Sequence, residues 1–291
     1  MSEAVIRLTV FFGVFMAMAL VESLWPRRPR VASRGYRWLG NWGLVLVDSA
    51  LLRIVFPMAA VGMAEFSAER GWGLLPWLGT PGWLAFVIAV VVLDLSVYLQ
   101  HVLFHRVPWL WRFHKVHHAD VDLDVTSGFR FHPGEALVSM ALKGVVIVVL
   151  GPPVAAVLLF EVLLNGFAMF NHGNVRIPER IDRYLRWFVV TPDMHRVHHS
   201  VRYRESNTNF GFNLPWWDRL FGTYTPQPED GHEGMRIGLE EYYENRRQSF
   251  WWLLALPFRP RPATPQGQAD ANCDAQRDEA APLAEERRPL P

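Results

Sequence analysis

The chain has 291 residues, 29 Lys and Arg against 28 Asp and Glu, and 51% hydrophobic residues. A net charge of +1 lacks the basic excess of a nucleic-acid binder, and the single cysteine, Cys273, excludes a disulfide framework and cysteine-rich zinc or iron–sulfur sites. By length two ordinary domains are expected, but 13 tryptophans beside only 20% charged residues point to an integral membrane protein.

Four apolar stretches follow in chain order. Residues 5–21 include fourteen uncharged residues in a row, with Arg7 placed to snorkel at one end. Residues 42–64 are mostly apolar but carry Asp48 and Arg53, and residues 83–103 contain AFVIAVVVL and one acid, Asp94. Residues 136–170 hold only Lys143 and Glu161 as charges. One helix of that length would measure about 52 Å, against a hydrocarbon core of about 30 Å. Gly151-Pro152-Pro153 in its middle therefore predicts a helical hairpin.

The segment WPRRPRVASRGYRW (25–38) has five arginines and no acid, whereas residues 65–83 have one arginine and two acids. The positive-inside rule puts residues 27–37 in the cytoplasm and 65–83 outside. The third span then returns to the cytoplasm near His105, where the hairpin also enters and leaves. Past Phe170 the chain turns polar and aromatic, which predicts a cytoplasmic helical cap ending near Tyr242. The expected fold class is all-α and integral to the membrane, with four to five membrane helices. Its divisions are N-terminal membrane helices and loops at 1–80, a catalytic region at 81–245, an interfacial helix at 246–258 and a disordered Pro/Ala-rich tail at 259–291.

The histidines fall into spaced clusters. His101 and His105 form HxxxH; His114, His117 and His118 form HxxHH, as do His195, His198 and His199. His132 sits in FRFHP and His172 in FNHGN, while His232 stands apart and reads as an ordinary polar residue. On a helix, positions i, i+3 and i+4 share one side, so each motif aims imidazoles at a common region. By the predicted topology these clusters gather at the cytoplasmic face. So many imidazoles exceed the needs of one ion, and two metals with four or five each fit better. Imidazole suits iron, zinc and copper, so ligand type leaves the metal open. Zinc hydrolysis lacks an HExxH base, and a metal transporter or metal-binding protein favours sites near the bilayer midplane. A pair of redox-active irons acting on a lipid accounts for both ligand number and position.

These stretches resemble the membrane fatty acid hydroxylase superfamily of the sterol desaturase type. The matching residues are Asp94, Tyr98 and HVLFH, then VPWLWRFHKVHH (107–118), FRFHPGE (129–135), NHGN (171–174), TPDMHRVHHS (191–200), NFG (209–211) and WDRLFGTY (217–224). The resemblance implies a diiron centre held by His101, His105, His114, His117, His118, His172, His195, His198 and His199. His132 stays open as a ligand, a residue bonded to a ligand, or a helix start. Asp94, Asp193 and Asp218 are candidates to accept from ligand imidazoles, Asp94 alternatively to pair with Arg112. The implied reaction is hydroxylation or desaturation of a C–H bond of a bilayer lipid, with two Fe ions as cofactor and O2 as co-substrate. No flavin, haem or ferredoxin motif is present, so a separate reductase or electron carrier is the expected donor. A substrate slot is expected between the hairpin, near Gly166, and the third span.

Overall fold

In lipid every backbone N–H and C=O must be satisfied within the chain, so apolar runs of this length fold as helices. The computed structural model describes residues 3–243 and 248–260. The tail, from residue 261 on, lies outside the described residues. Long helices form at α1 (Glu3–Leu24) and α2 (Arg34–Val55), with the shorter α3 (Ala59–Glu69) following. Next come α4 (Gly82–Arg106), α5 (Pro108–His118), α6 (Pro133–Leu150) and α7 (Val154–Asn171). The cap carries the short helices α8 (Glu179–Leu185), α9 (Pro192–His198) and α10 (Trp216–Leu220), and α11 (Phe250–Ala255) follows. The described residues form no sheet, only two isolated bridges, Pro26 with Val175 and Ser200 with Ile237. Among the described residues, five stretches are long and apolar enough to cross a membrane: Val5–Leu24, Arg34–Trp77, Gly82–Arg106, Pro133–Leu150 and Val154–Asn171. Leu8, Met16, Leu46, Ile54 and Val145 point outward from them.

Two breaks shape the bundle. Pro57, lacking an N–H, stops α2 after Val55, so the second crossing is made in two pieces and begins at Arg34, earlier than the apolar run at 42–64 suggests. Its first turns are polar because they face the cap: Arg37 and Asn41 are fully buried there. The second break is the expected hairpin turn, where Gly151 takes the left-handed conformation (φ 63°) and Pro152-Pro153 bar helix continuation. That turn packs on the chain after α3, so closely that a Cβ on Gly73 would lie 2.3 Å from Gly151 Cα. The arginine-rich loop and the histidines share one end of the bundle, and the 72–76 and 151–153 turns share the other.

The arginine end is held by a buried ion cluster. The Arg37 guanidinium donates to Asp120 at 2.7 Å and to Asp124 at 2.6 Å, and all three side chains are fully buried. Arg130 continues the cluster, donating to the Val116 carbonyl, Asn41 and Gln248. Helix α11 packs Trp252 and Leu253 onto Leu44 of α2 and Val116 of α5, and leaves Trp251 exposed. Within the spans, Glu161 of α7 bridges Lys143 of α6 (2.8 Å) and Arg7 of α1 (2.7 Å), a costly arrangement in lipid unless paired. Gly166 borders a narrow recess with Arg7, Phe11 and Asn165, between α1 and α7. Of the expected slot, this recess therefore involves the hairpin but not α4.

Candidate metal centre

The corner between α4 and α5 sets the first half of the centre. Val107 is extended (φ −96°, ψ 114°) and Pro108 opens α5, so the helices turn sharply and bring His101 and His105 against His114 and His118. His172 caps the end of α7, while His195 and His198 lie on α9, with His199 as its C-cap. The structure gathers these nine rings into two groups. One holds His101, His105, His114, His118 and His198; the other holds His117, His172, His195 and His199. Within each group one nitrogen from every ring lies within 4.8 Å of all the others. The groups adjoin: the His118 and His199 rings stack with centroids 4.5 Å apart.

The division follows from helical geometry. At 100° per residue, position i+4 lies about 40° from i, whereas i+3 lies about 60° to the other side. Each HxxHH motif accordingly sends its i and i+4 rings to one group and its i+3 ring to the other. His114 and His118 go with His198; His195 and His199 go with His117. The sequence expectation that each motif aims at one point is thus refined to two interlocked points.

Backbone carbonyls orient four of the nine rings. Nδ1–H donates to the Phe210 carbonyl from His101 (2.8 Å), to Ala168 from His172 (2.7 Å), to Thr208 from His198 (2.8 Å) and to Arg130 from His117 (3.3 Å). His114 instead donates to the Glu135 carboxylate at 2.7 Å. With Nδ1 protonated, Nε2 of each of these rings carries a bare lone pair. Yet Nε2 of His117 and Nε2 of His172 face each other at 3.1 Å. Two lone pairs at that distance repel unless a cation lies between them. A proton is disfavoured, because burial pulls His172 down to about 4 and His117 well below its usual range. Burial likewise lowers His114 to about 3 and depresses His118, His195, His198 and His199. Neutral, buried imidazoles with converging lone pairs fit a metal ion. Donors about 2.1 Å from one ion and at right angles around it would themselves be about 3.0 Å apart.

The remaining site candidates divide. His132 lies outside both groups: it starts α6, its Nδ1 accepts from Gly134 N–H, its Nε2 reaches the Leu254 carbonyl at 3.3 Å, and its ring stacks on Phe113. Both nitrogens are engaged, which matches a helix-start role. His232 is buried beside Asp193, also outside the groups. Asp94 accepts from the Trp217 indole at 2.7 Å instead of from an imidazole or Arg112. Asp193 pairs with Arg27 and Arg196. Asp218 accepts from the N–H groups of Phe210 and Gly211, both at 2.8 Å, and so reaches His101 only through the Phe210 carbonyl. Sequence reasoning passed over Glu135 as an acceptor, although a carboxylate two residues into a helix after HP was the available signal. Phe210, whose ring packs on His101, His105 and His198, also escaped it.

A family model described as Fatty acid hydroxylase matches residues 86–223, the stretch that supplies all nine rings. The chain thus resembles the fatty acid hydroxylase family over just under half of its length. It is 29% identical over 227 residues to the ornithine lipid hydroxylase OlsE of Rhizobium tropici, covering 75% of this chain and 67% of that protein. It is 28% identical over 233 residues to an alkylglycerol monooxygenase of Xenopus tropicalis, covering 77% of this chain and 48% of the relative. A cholesterol 25-hydroxylase-like protein of Danio rerio is 24% identical over 229 residues, 74% of this chain and 87% of the relative. The chain thus spans about half the length of the alkylglycerol monooxygenase. No solved structure matches it.

Proposed function

We propose that this chain is a membrane-bound diiron oxygenase that hydroxylates an unactivated C–H bond of a bilayer lipid, using O2 and electrons from a separate donor. The observation that carries the reading is the convergence of nine imidazoles, eight of them buried and His105 half-buried, in groups of five and four, with bare Nε2 lone pairs facing one another. The relatives' names, hydroxylase and monooxygenase, favour hydroxylation over desaturation and a lipid substrate. All nine rings lie at one end of the bundle, which tells against metal passage through the membrane.

The chemistry that two bound irons supply is reductive activation of O2, placing one oxygen atom in the C–H bond and releasing the other as water. The protein's part is geometric and electrostatic. Carbonyls of Phe210, Ala168, Thr208 and Arg130 hold the Nδ1–H groups, which fixes each ring's tautomer and direction. Glu135 does the same for His114 through a carboxyl oxygen, fixing the direction of that ring. Phe131 stacks on His117 and Phe210 covers three rings of the five-membered group, excluding water from the centre. His105 is the only one of the nine rings left half-buried, with Trp111 beside it at 5.0 Å, so the five-membered group is the more accessible.

The arginine-rich loop shares the histidine end, which supports a cytoplasmic centre by the positive-inside rule. The test combines metal analysis of purified protein with comparison of lipid extracts from a deletion strain and wild type. About two iron ions per chain, and a lipid one oxygen richer that disappears on deletion and is not restored by His198→Ala, are expected. Less than one metal ion in folded protein isolated without chelator, or unchanged lipids, overturns the reading.

A further inference from the structure

Part of the cap sits on the membrane side of the metal centre. Trp217 of α10 donates its indole N–H to Asp94, seven residues before His101 on α4. At 1.5 Å per residue that is about 10 Å from the histidine level, toward the opposite end of the bundle. The neighbouring Phe221 ring stacks on Tyr98 of the same helix, centroids 5.4 Å apart. A segment that the sequence assigns to a polar cap is therefore fastened to a spanning helix below the metals.

What this segment shows to the outside is apolar. Leu220 is 70% exposed and Phe221 52%, and beside them Trp187 and Phe188 are 56% and 66% exposed. Trp216 joins the two stretches by donating its indole N–H to the Trp187 carbonyl at 2.7 Å. Asp182 pairs with Arg186, and Asp218 binds backbone N–H groups. A cation borders the patch. Arg219 lies 4.1 Å above the Trp187 ring and 4.1 Å above the Tyr224 ring. An apolar face rimmed by Trp and a stacked Arg is the pattern of an element lying in one leaflet, with its cation at the headgroups. The outward Leu99 and Leu103 of α4 give this face the same surroundings as a membrane span.

We propose that α10 and the Trp187–Phe188 turn form a wedge immersed in the leaflet at the histidine end, with Leu220, Phe221 and Phe188 among acyl chains. The wedge leads inward by ring contacts from Phe221 to Tyr98 to Phe210, and Phe210 touches three rings of the five-membered group. It holds whether or not the centre carries iron.

The test is nitroxide labelling of the full chain in phospholipid vesicles, on a Cys273→Ser background. Leu220→Cys and, separately, Phe188→Cys report on the wedge, and Glu229→Cys, an acid ion-paired with Arg202 on the exposed cap, is the aqueous reference. At the wedge positions, collision with oxygen is expected to exceed collision with a water-soluble nickel chelate by at least about threefold, since oxygen partitions into hydrocarbon. The order should reverse at Glu229→Cys. Nickel exceeding oxygen at both wedge positions would show the face in water and overturn the proposal. Little collision with either would show the face covered by protein, such as a second copy, and would overturn it equally.

Discussion

Replacing Glu135 tests whether the two groups hold two separable ions. Its carboxylate is buried, sits 2.7 Å from His114 Nδ1, and is the one acidic acceptor bonded to any of the nine rings among the described residues. Glu135→Ala removes this hydrogen bond and leaves a buried Nδ1–H unsatisfied. Loss of such a partner costs about 1–3 kcal/mol, and removal of a residue supporting a ligand typically weakens metal binding about 10- to 100-fold. The two figures agree, because each tenfold step is about 1.4 kcal/mol. Glu135→Gln keeps an amide oxygen as acceptor, so it should fall between the alanine variant and wild type. His114 belongs to the five-membered group alone, so only that ion should be weakened. The assay is a chelator titration of purified protein followed by metal analysis. Wild type should release its ions at high chelator; Glu135→Ala should lose about one ion per chain at chelator activity about 10- to 100-fold lower, and keep the second. Parallel loss of both ions, or a wild-type curve, would refute the assignment of Glu135 and the independence of the groups.

Four further outcomes are expected. His117→Ala and His198→Ala should each lower metal content and abolish lipid hydroxylation, since each removes a donor with a bare Nε2; metal analysis and lipid extracts check this. Arg37→Met should destabilise the fold by about 3–5 kcal/mol, because Asp124 would lose its buried ion pair and Asp120 would keep only Arg130, at 3.8 Å, as an ion-pair partner; thermal unfolding in detergent reads it, and an unchanged transition would contradict the ion cluster. His232, lowered to about 4 by burial and less so because of Asp193, binds its proton more weakly folded than unfolded. Its contribution to stability is therefore lost as pH falls from about 6.5 toward 4, and His232→Gln should lose less stability than wild type between pH 7 and pH 5 in unfolding experiments. A reporter fused after Leu290 should be active in the cytoplasm, and activity only outside the cell would reverse the topology.

The spans and the gathering of the histidines were legible because their signals are local. A run of apolar residues or an i, i+4 spacing needs no knowledge of distant chain. Pro57 and the Gly151-Pro152-Pro153 turn were equally open to reading, although the expected span at 42–64 ran through the first of them. The polar first turns of α2 hid its true start, since Arg37 and Asn41 become tolerable there only through Asp120, Asp124 and Thr126, more than eighty residues away. The acidic candidates near the motifs mostly turned elsewhere for the same reason. A carboxylate's sequence neighbours do not say whether an arginine, an indole or an imidazole will reach it first.

The least legible feature is that the ligand rings lean mainly on main-chain carbonyls, which every residue possesses and no composition marks. Asp218 fixes the N–H groups of Phe210 and Gly211, and the Phe210 carbonyl in turn holds His101. Asp94 ties the same loop to α4 through Trp217, from within the span that carries His101 and His105. The loop is thus gripped at both sides by carboxylates that touch no ligand ring. Two acids that look like imidazole partners in the sequence act instead on the backbone that orients one. Loss of either should be felt first as a misdirected His101, in the five-membered group, while the carbonyls of Ala168 and Arg130 go on holding His172 and His117 in the other. The two groups of rings thus have separate supports, and the part facing the membrane depends on the loop nearest the lipid.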